Sequence, residues 1–244
     1  MDNGMGTDGV GARRWRIAHV GGLCAFALGV ALLLALHVLP PTSDISPIRR
    51  TISEYAHTDG KWLFDLAVLL IAVGSAATFA EIARRKLAGW VTVALGALWT
   101  SSLLVIVMFT KTDWSVGPSI GGTIHRYASL AAFLSLPAAV LLAAHVVFPV
   151  SLAWRWLARG LSIFSLTSFS TIGFAIIYMA NGGPPWWEFL PLGLVERLVA
   201  GSAVAALVVL LVGLGRSPAS GGAEARDADA DGRRALGTNF TRSV

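Results

Sequence analysis

The chain has 244 residues, of which 55% are hydrophobic and only 14% charged, against about 25% charged in soluble domains. That composition, with a mean hydropathy of +0.68, excludes an ordinary soluble domain and points to a membrane protein. The net charge of +5 does not indicate nucleic acid: Lys and Arg sit in short clusters between apolar blocks, and no basic face with interleaved aromatics lies outside those blocks.

Residues 1–14 are rich in Gly, Asp and Arg and lack a periodic apolar face, so they read as a flexible tail. The first apolar block, Ile17–Leu39, follows Arg13, Arg14 and Arg16, much as a signal peptide begins. Its core exceeds the usual run of about 7–15 residues and no clear small-x-small cleavage site follows, so it reads as a retained span. Cys24, the single cysteine, lies inside this block as a small packing residue with no disulfide or Cys-x-x-Cys partner.

Five further blocks follow: Trp62–Ala83, Ala88–Phe109, Ile124–Phe148, Leu157–Ala180 and Leu190–Leu214. Each approaches the roughly 20 residues needed to cross a bilayer, where a backbone without water must satisfy itself as a helix. The expected fold is all-α, a bundle of six transmembrane helices over residues 15–215 followed by a disordered tail, 216–244. Thirteen of the 19 Lys and Arg fall before the first block, in or directly beside the second and fourth connections, or after the sixth, which the positive-inside bias assigns to the cytoplasm. Both termini are therefore expected in the cytoplasm, with a plasma-membrane location.

The expected outer connections are longer and carry the polar chemistry. In Pro40–Lys61, Ser46 and Pro47 form a good helix start, and Ile48, Ile52 and Tyr55 recur along one face. The spacing predicts a short amphipathic helix in the outer interface, with Arg50 and Glu54 four apart and Glu54 or His57 turned to a cavity. In Thr110–Thr123, Gly and Pro118 permit a tight return that brings Asp113 toward His125 or Arg126. An Asp–His pair orients an imidazole for base catalysis or metal binding, and serves equally as a structural ion pair.

In Asn181–Phe189, Trp186 and Trp187 read as interface anchors. Glu196 and Arg197 then fall inside the sixth block, where ionisable groups face the bundle and pair. Glu196 with Arg126, and Arg197 with Asp113 or Glu54, are the expected pairings. Glu54, Asp113, His125, Arg126, Glu196 and Arg197 together make the candidate polar pocket, with His37 and Asp65 as weaker members of the layer. No His-Glu-x-x-His, Gly-x-Ser-x-Gly or phosphate-binding loop occurs, and no cofactor or metal is expected.

Several strings, in their order along the six blocks, resemble a bacterial membrane family designated domain of unknown function 998. They are Ser46-Pro47-Ile48 with Ile52-Ser53-Glu54-Tyr55, Thr112-Asp113, Gly122 with His125, and Gly193 with Glu196-Arg197. The resemblance implies a six-helix membrane protein and carries no established reaction. The leading functional reading is an outer-facing polar pocket that binds a lipid headgroup, a small solute or a partner protein. A membrane-embedded hydrolase or transferase using Asp, His and Glu, and a transporter, are the alternatives; whether the protein is an enzyme, and its oligomeric state, stay open.

Overall fold

The computed structural model describes residues 7–216, with side chains described from residue 17 onward. Helix α1 (Thr7–Ala35) begins within the 1–14 segment read as a tail; the rest of that segment, and 217–244 of the C-terminal one, lie outside the described residues. Then come a 3-10 helix (Ile52–His57), α2 (Lys61–Arg84), α3 (Trp90–Met108), α4 (Ile120–Val147), α5 (Leu152–Ala180), the short α6 (Trp186–Phe189) and α7 (Leu192–Arg216). Among the described residues there is no strand. Six helices are long and apolar enough to cross a membrane: α1 from Ile17, α2, α3, α4, α5 and α7.

Helices α2, α4 and α7 are half buried and make the inside of the bundle. Helix α1 packs on the seam of α2 and α7, α3 between α2 and α4, and α5 against α4 and α7. Lipid tails are as apolar as leucine, so close packing has to hold such helices together. On α4, Ala128, Ala132, Ser135, Ala139 and Ala143 form a buried small-residue stripe at intervals of three and four, which lets neighbouring backbones approach. Polar groups inside the bundle are satisfied locally or across one seam. Trp99 Nε1 donates to Ser75 Oγ at 2.8 Å between α3 and α2, and Ser165 Oγ donates to Val199 O at 2.9 Å between α5 and α7.

Two helix starts differ from the sequence reading. Ser119 caps α4, its hydroxyl accepting from Gly122 N at 3.0 Å, so the helix begins at Ile120 rather than Ile124. Helix α5 begins at Leu152 rather than Leu157, which places Arg155 as well as Arg159 on the helix.

The connections 36–60, 109–119 and 181–191 share one end of the bundle, and the short turns after α2 and α4 share the other. Ionisable side chains among the described residues cluster toward these two ends. Serine, threonine and tryptophan supply the polar groups between them.

Candidate functional site

At the connection-rich end, the first turns of α7 hold the backbone of the first connection. Gly193 is the contact point: a Cβ there would lie 2.2 Å from Arg50 O and 2.7 Å from Pro47 O. Leu194 N donates to Ile48 O at 3.0 Å, Arg197 Nη1 donates to Arg50 O at 2.7 Å, and Glu196 Oε2 accepts from Ile52 N at 2.5 Å. An α-helix continuing from Ser46 would use those same carbonyls and that same amide internally. It forms one turn, Arg50 N to Ser46 O at 2.9 Å, and is then diverted. The expected interfacial α-helix is therefore a 3-10 helix over Ile52–His57, with Tyr55 fully buried beneath it.

Arg197 anchors the underside of this clasp. Besides Arg50 O, it donates to His37 Nε2 at 2.7 Å, Gly193 O at 2.9 Å and Tyr55 Oη at 3.1 Å. Guanidinium N–H groups only donate, so His37 accepts through Nε2; its Nδ1 then donates to Leu33 O at 2.7 Å. That arrangement is one neutral imidazole tautomer.

The start of α4 repeats the device on the second long connection. A Cβ on Gly122 would lie 2.0 Å from Thr112 Oγ1 and 2.6 Å from Thr112 N, so Thr112 sits directly on the glycine. Three residues on, buried His125 pairs through Nδ1 with Phe109 O at 2.7 Å; a carbonyl only accepts, so the proton is on Nδ1. Lys111 joins the two clasps. Its ammonium donates to Thr51 Oγ1 at 2.9 Å and forms an ion pair with Glu54, whose other oxygen is 3.3 Å from Arg50 Nη1.

The structure thus brings Glu54, Glu196 and Arg197 around one stretch of backbone, with His125 serving the neighbouring stretch. Neither expected pairing of the α7 charges forms: Glu196 takes the Ile52 amide instead of Arg126, and Arg197 takes carbonyls, His37 and Tyr55 instead of Asp113 or Glu54. Asp113 does not meet His125 or Arg126. It is exposed, and its Oδ1 accepts from Ser115 N at 2.9 Å and Ser115 Oγ at 2.6 Å. Those bonds, the hydroxyl's first, hold its carboxyl below the usual carboxylate range. Arg126 is exposed, its guanidinium 5.6 Å from the centre of the Trp114 ring. Asp65 pairs with Lys61 at 2.5 Å. Among the described residues, no group of three or more His, Cys, Asp or Glu is placed to hold a metal ion.

Between the two clasped connections lies an open groove of about 490 Å³, lined by His57 from the first and by Phe109, Lys111, Asp113 and Val116 from the second. His57 and Asp113 are close enough to interact electrostatically. Lys111 was not a candidate in the sequence, because a lone lysine in a polar loop has no periodicity or motif to mark it; only its position between Thr51 and Glu54 does.

The residues meeting in the two clasps are the same strings that carry the family resemblance. The family model described as "Protein of unknown function (DUF998)" matches residues 20–213, almost the whole helical bundle. The chain belongs to the DUF998 family. No curated protein and no solved structure matches it. In this DUF998 protein, Gly193, Glu196 and Arg197 meet Ser46–Tyr55, and Gly122 and His125 meet Phe109–Thr112. Each helix pairs a glycine that admits backbone with a side chain three residues later that binds it.

Proposed function

We propose that this DUF998 protein is a multi-pass plasma-membrane protein whose connection-rich end faces outward, with both termini in the cytoplasm, and that its groove binds a lipid headgroup. The groove is the observation that carries the reading. Its volume of about 490 Å³ falls within the roughly 300–1,000 Å³ of ligand sites. It is amphipathic: Lys111 and Asp113 contribute charge and His57 an imidazole, while Met108, at the end of a membrane-spanning helix, and Val116, in the loop after it, are 74% and 87% exposed and contribute apolar edges. A headgroup with the first carbons of its chains has that same division.

The polar layer inside the bundle supports a holding role for Glu196, Arg197 and His125, which fix the groove's walls and are committed to backbone. The orientation follows from the clusters Arg84, Arg85 and Lys86, Arg155 and Arg159, and Arg216 at the opposite end. The test is native mass spectrometry of the full chain released from membranes in a mild detergent. Phospholipid adducts are expected on the wild-type protein and should fall several-fold in His57→Ala with Val116→Asp. Equal adducts on both proteins would refute the groove as the lipid site.

A further inference from the structure

The groove's charges have both signs, and their arrangement narrows the headgroup. His57 ends the 3-10 helix and is exposed, while Lys111, held in the wall by Thr51 and Glu54, and Asp113 stand two residues apart in the facing connection. Because Glu54 is shared between Lys111 and Arg50, one carboxylate offsets two cations, and the cationic side keeps a modest field for an anion. Asp113 keeps its charge, since two hydrogen bonds from Ser115 occupy one oxygen and favour the carboxylate. A purely anionic headgroup would meet Asp113 at close range, and a purely cationic one would meet Lys111. Like charges brought together in this way are what exclude wrong partners.

We propose that the groove selects a zwitterionic phosphate ester bearing an ammonium group, with the phosphate between Lys111 and His57 and the ammonium toward Asp113. The proposal rests on the lipid-headgroup reading above and names its chemical class. The same ester occurs in a membrane phospholipid and in a free glycerophosphodiester; the apolar edges at Met108 and Val116 favour the lipid.

The full chain in mild detergent is titrated, by native mass spectrometry, with dioleoyl phosphatidylethanolamine, dioleoyl phosphatidylglycerol and chain-free glycerophosphoethanolamine. Phosphatidylethanolamine is expected to bind about threefold tighter than phosphatidylglycerol, the scale of one exposed charge contact, and the chain-free ester far more weakly than either. Asp113→Asn keeps an Oδ1 that accepts from Ser115, so the loop retains its turn; it is expected to erase the preference. His57→Ala is expected to weaken both lipids. Equal binding of the two lipids by the wild type, or a preference that survives in Asp113→Asn, overturns the zwitterion proposal and leaves the lipid site standing. Lipid binding untouched by His57→Ala overturns the site itself, and tight binding of the chain-free ester overturns the lipid as its source.

Discussion

Gly193 has no side chain at the point where two backbones cross, and a methyl group there would lie 2.2 Å from the Arg50 carbonyl oxygen. Backbone cannot step aside as a flexible side chain does, so Gly193→Ala has to lift the first connection off α7. Overpacking of this kind costs about 1–3 kcal/mol, and a lowered thermal midpoint in detergent is the expected result; an unchanged midpoint would mean the connection is not seated there. Asp113 behaves differently because it is fully exposed. Its carboxyl is lowered by the bonds from Ser115, so the turn is favoured above the ordinary carboxylate range and loses that support as pH falls through the lowered value. Amide exchange at Ser115, corrected for its intrinsic pH dependence, should accelerate on that acid side and not between pH 6 and pH 8, roughly the neutral range where a carboxylate stays ionised.

At the scale of an element, the 3-10 helix Ile52–His57 owes its form to α7. The Ile52 amide has its partner in Glu196, and the carbonyls of Ile48 and Arg50 have theirs in Leu194 and Arg197. Glu196→Gln keeps an oxygen that can accept from Ile52, whereas Glu196→Leu leaves the amide unpaired at a loss of about 1–3 kcal/mol. Hydrogen exchange over residues 52–57 should rise strongly in the leucine variant and little in the glutamine one; equal exchange in both would remove Glu196 from the clasp. Arg197→Lys should act in the same direction as the leucine variant, because an ammonium cannot span the four acceptors that the guanidinium reaches together.

For the whole molecule, six membrane-crossing helices put the start of α1 and the end of α7 at the same end of the bundle, and the proposed orientation makes that end cytoplasmic. On a Cys24→Ser background, a membrane-impermeant maleimide should label Asp59→Cys in intact cells and reach Lys86→Cys only after the membrane is opened. The reverse pattern would invert the topology and move the groove to the cytosol. Inside the bundle, Trp99 and Ser75 tie α3 to α2 by one buried hydrogen bond. Trp99→Phe should lower stability by about 1 kcal/mol, the usual worth of such a bond between membrane helices, as read from unfolding in detergent.

Six helices, their approximate limits and the concentration of polar residues in three connections are written in the sequence, because crossing hydrocarbon requires long apolar runs and leaves little freedom in how they fold. Arg50 and Glu54, four apart in the sequence, do pair, although the α-helix which that spacing pointed to gives way to a 3-10 helix. Partner choice at long range was not legible. Glu196, Arg197 and His125 were matched in the sequence to other side chains, yet they bind an amide of Ile52 and carbonyls of Arg50 and Phe109. Every residue carries such groups, so backbone partners leave no mark in the order of amino acids. Which carbonyls and amides α7 and α4 would seize, and the groove left between the two seized connections, was decided only when the helices packed.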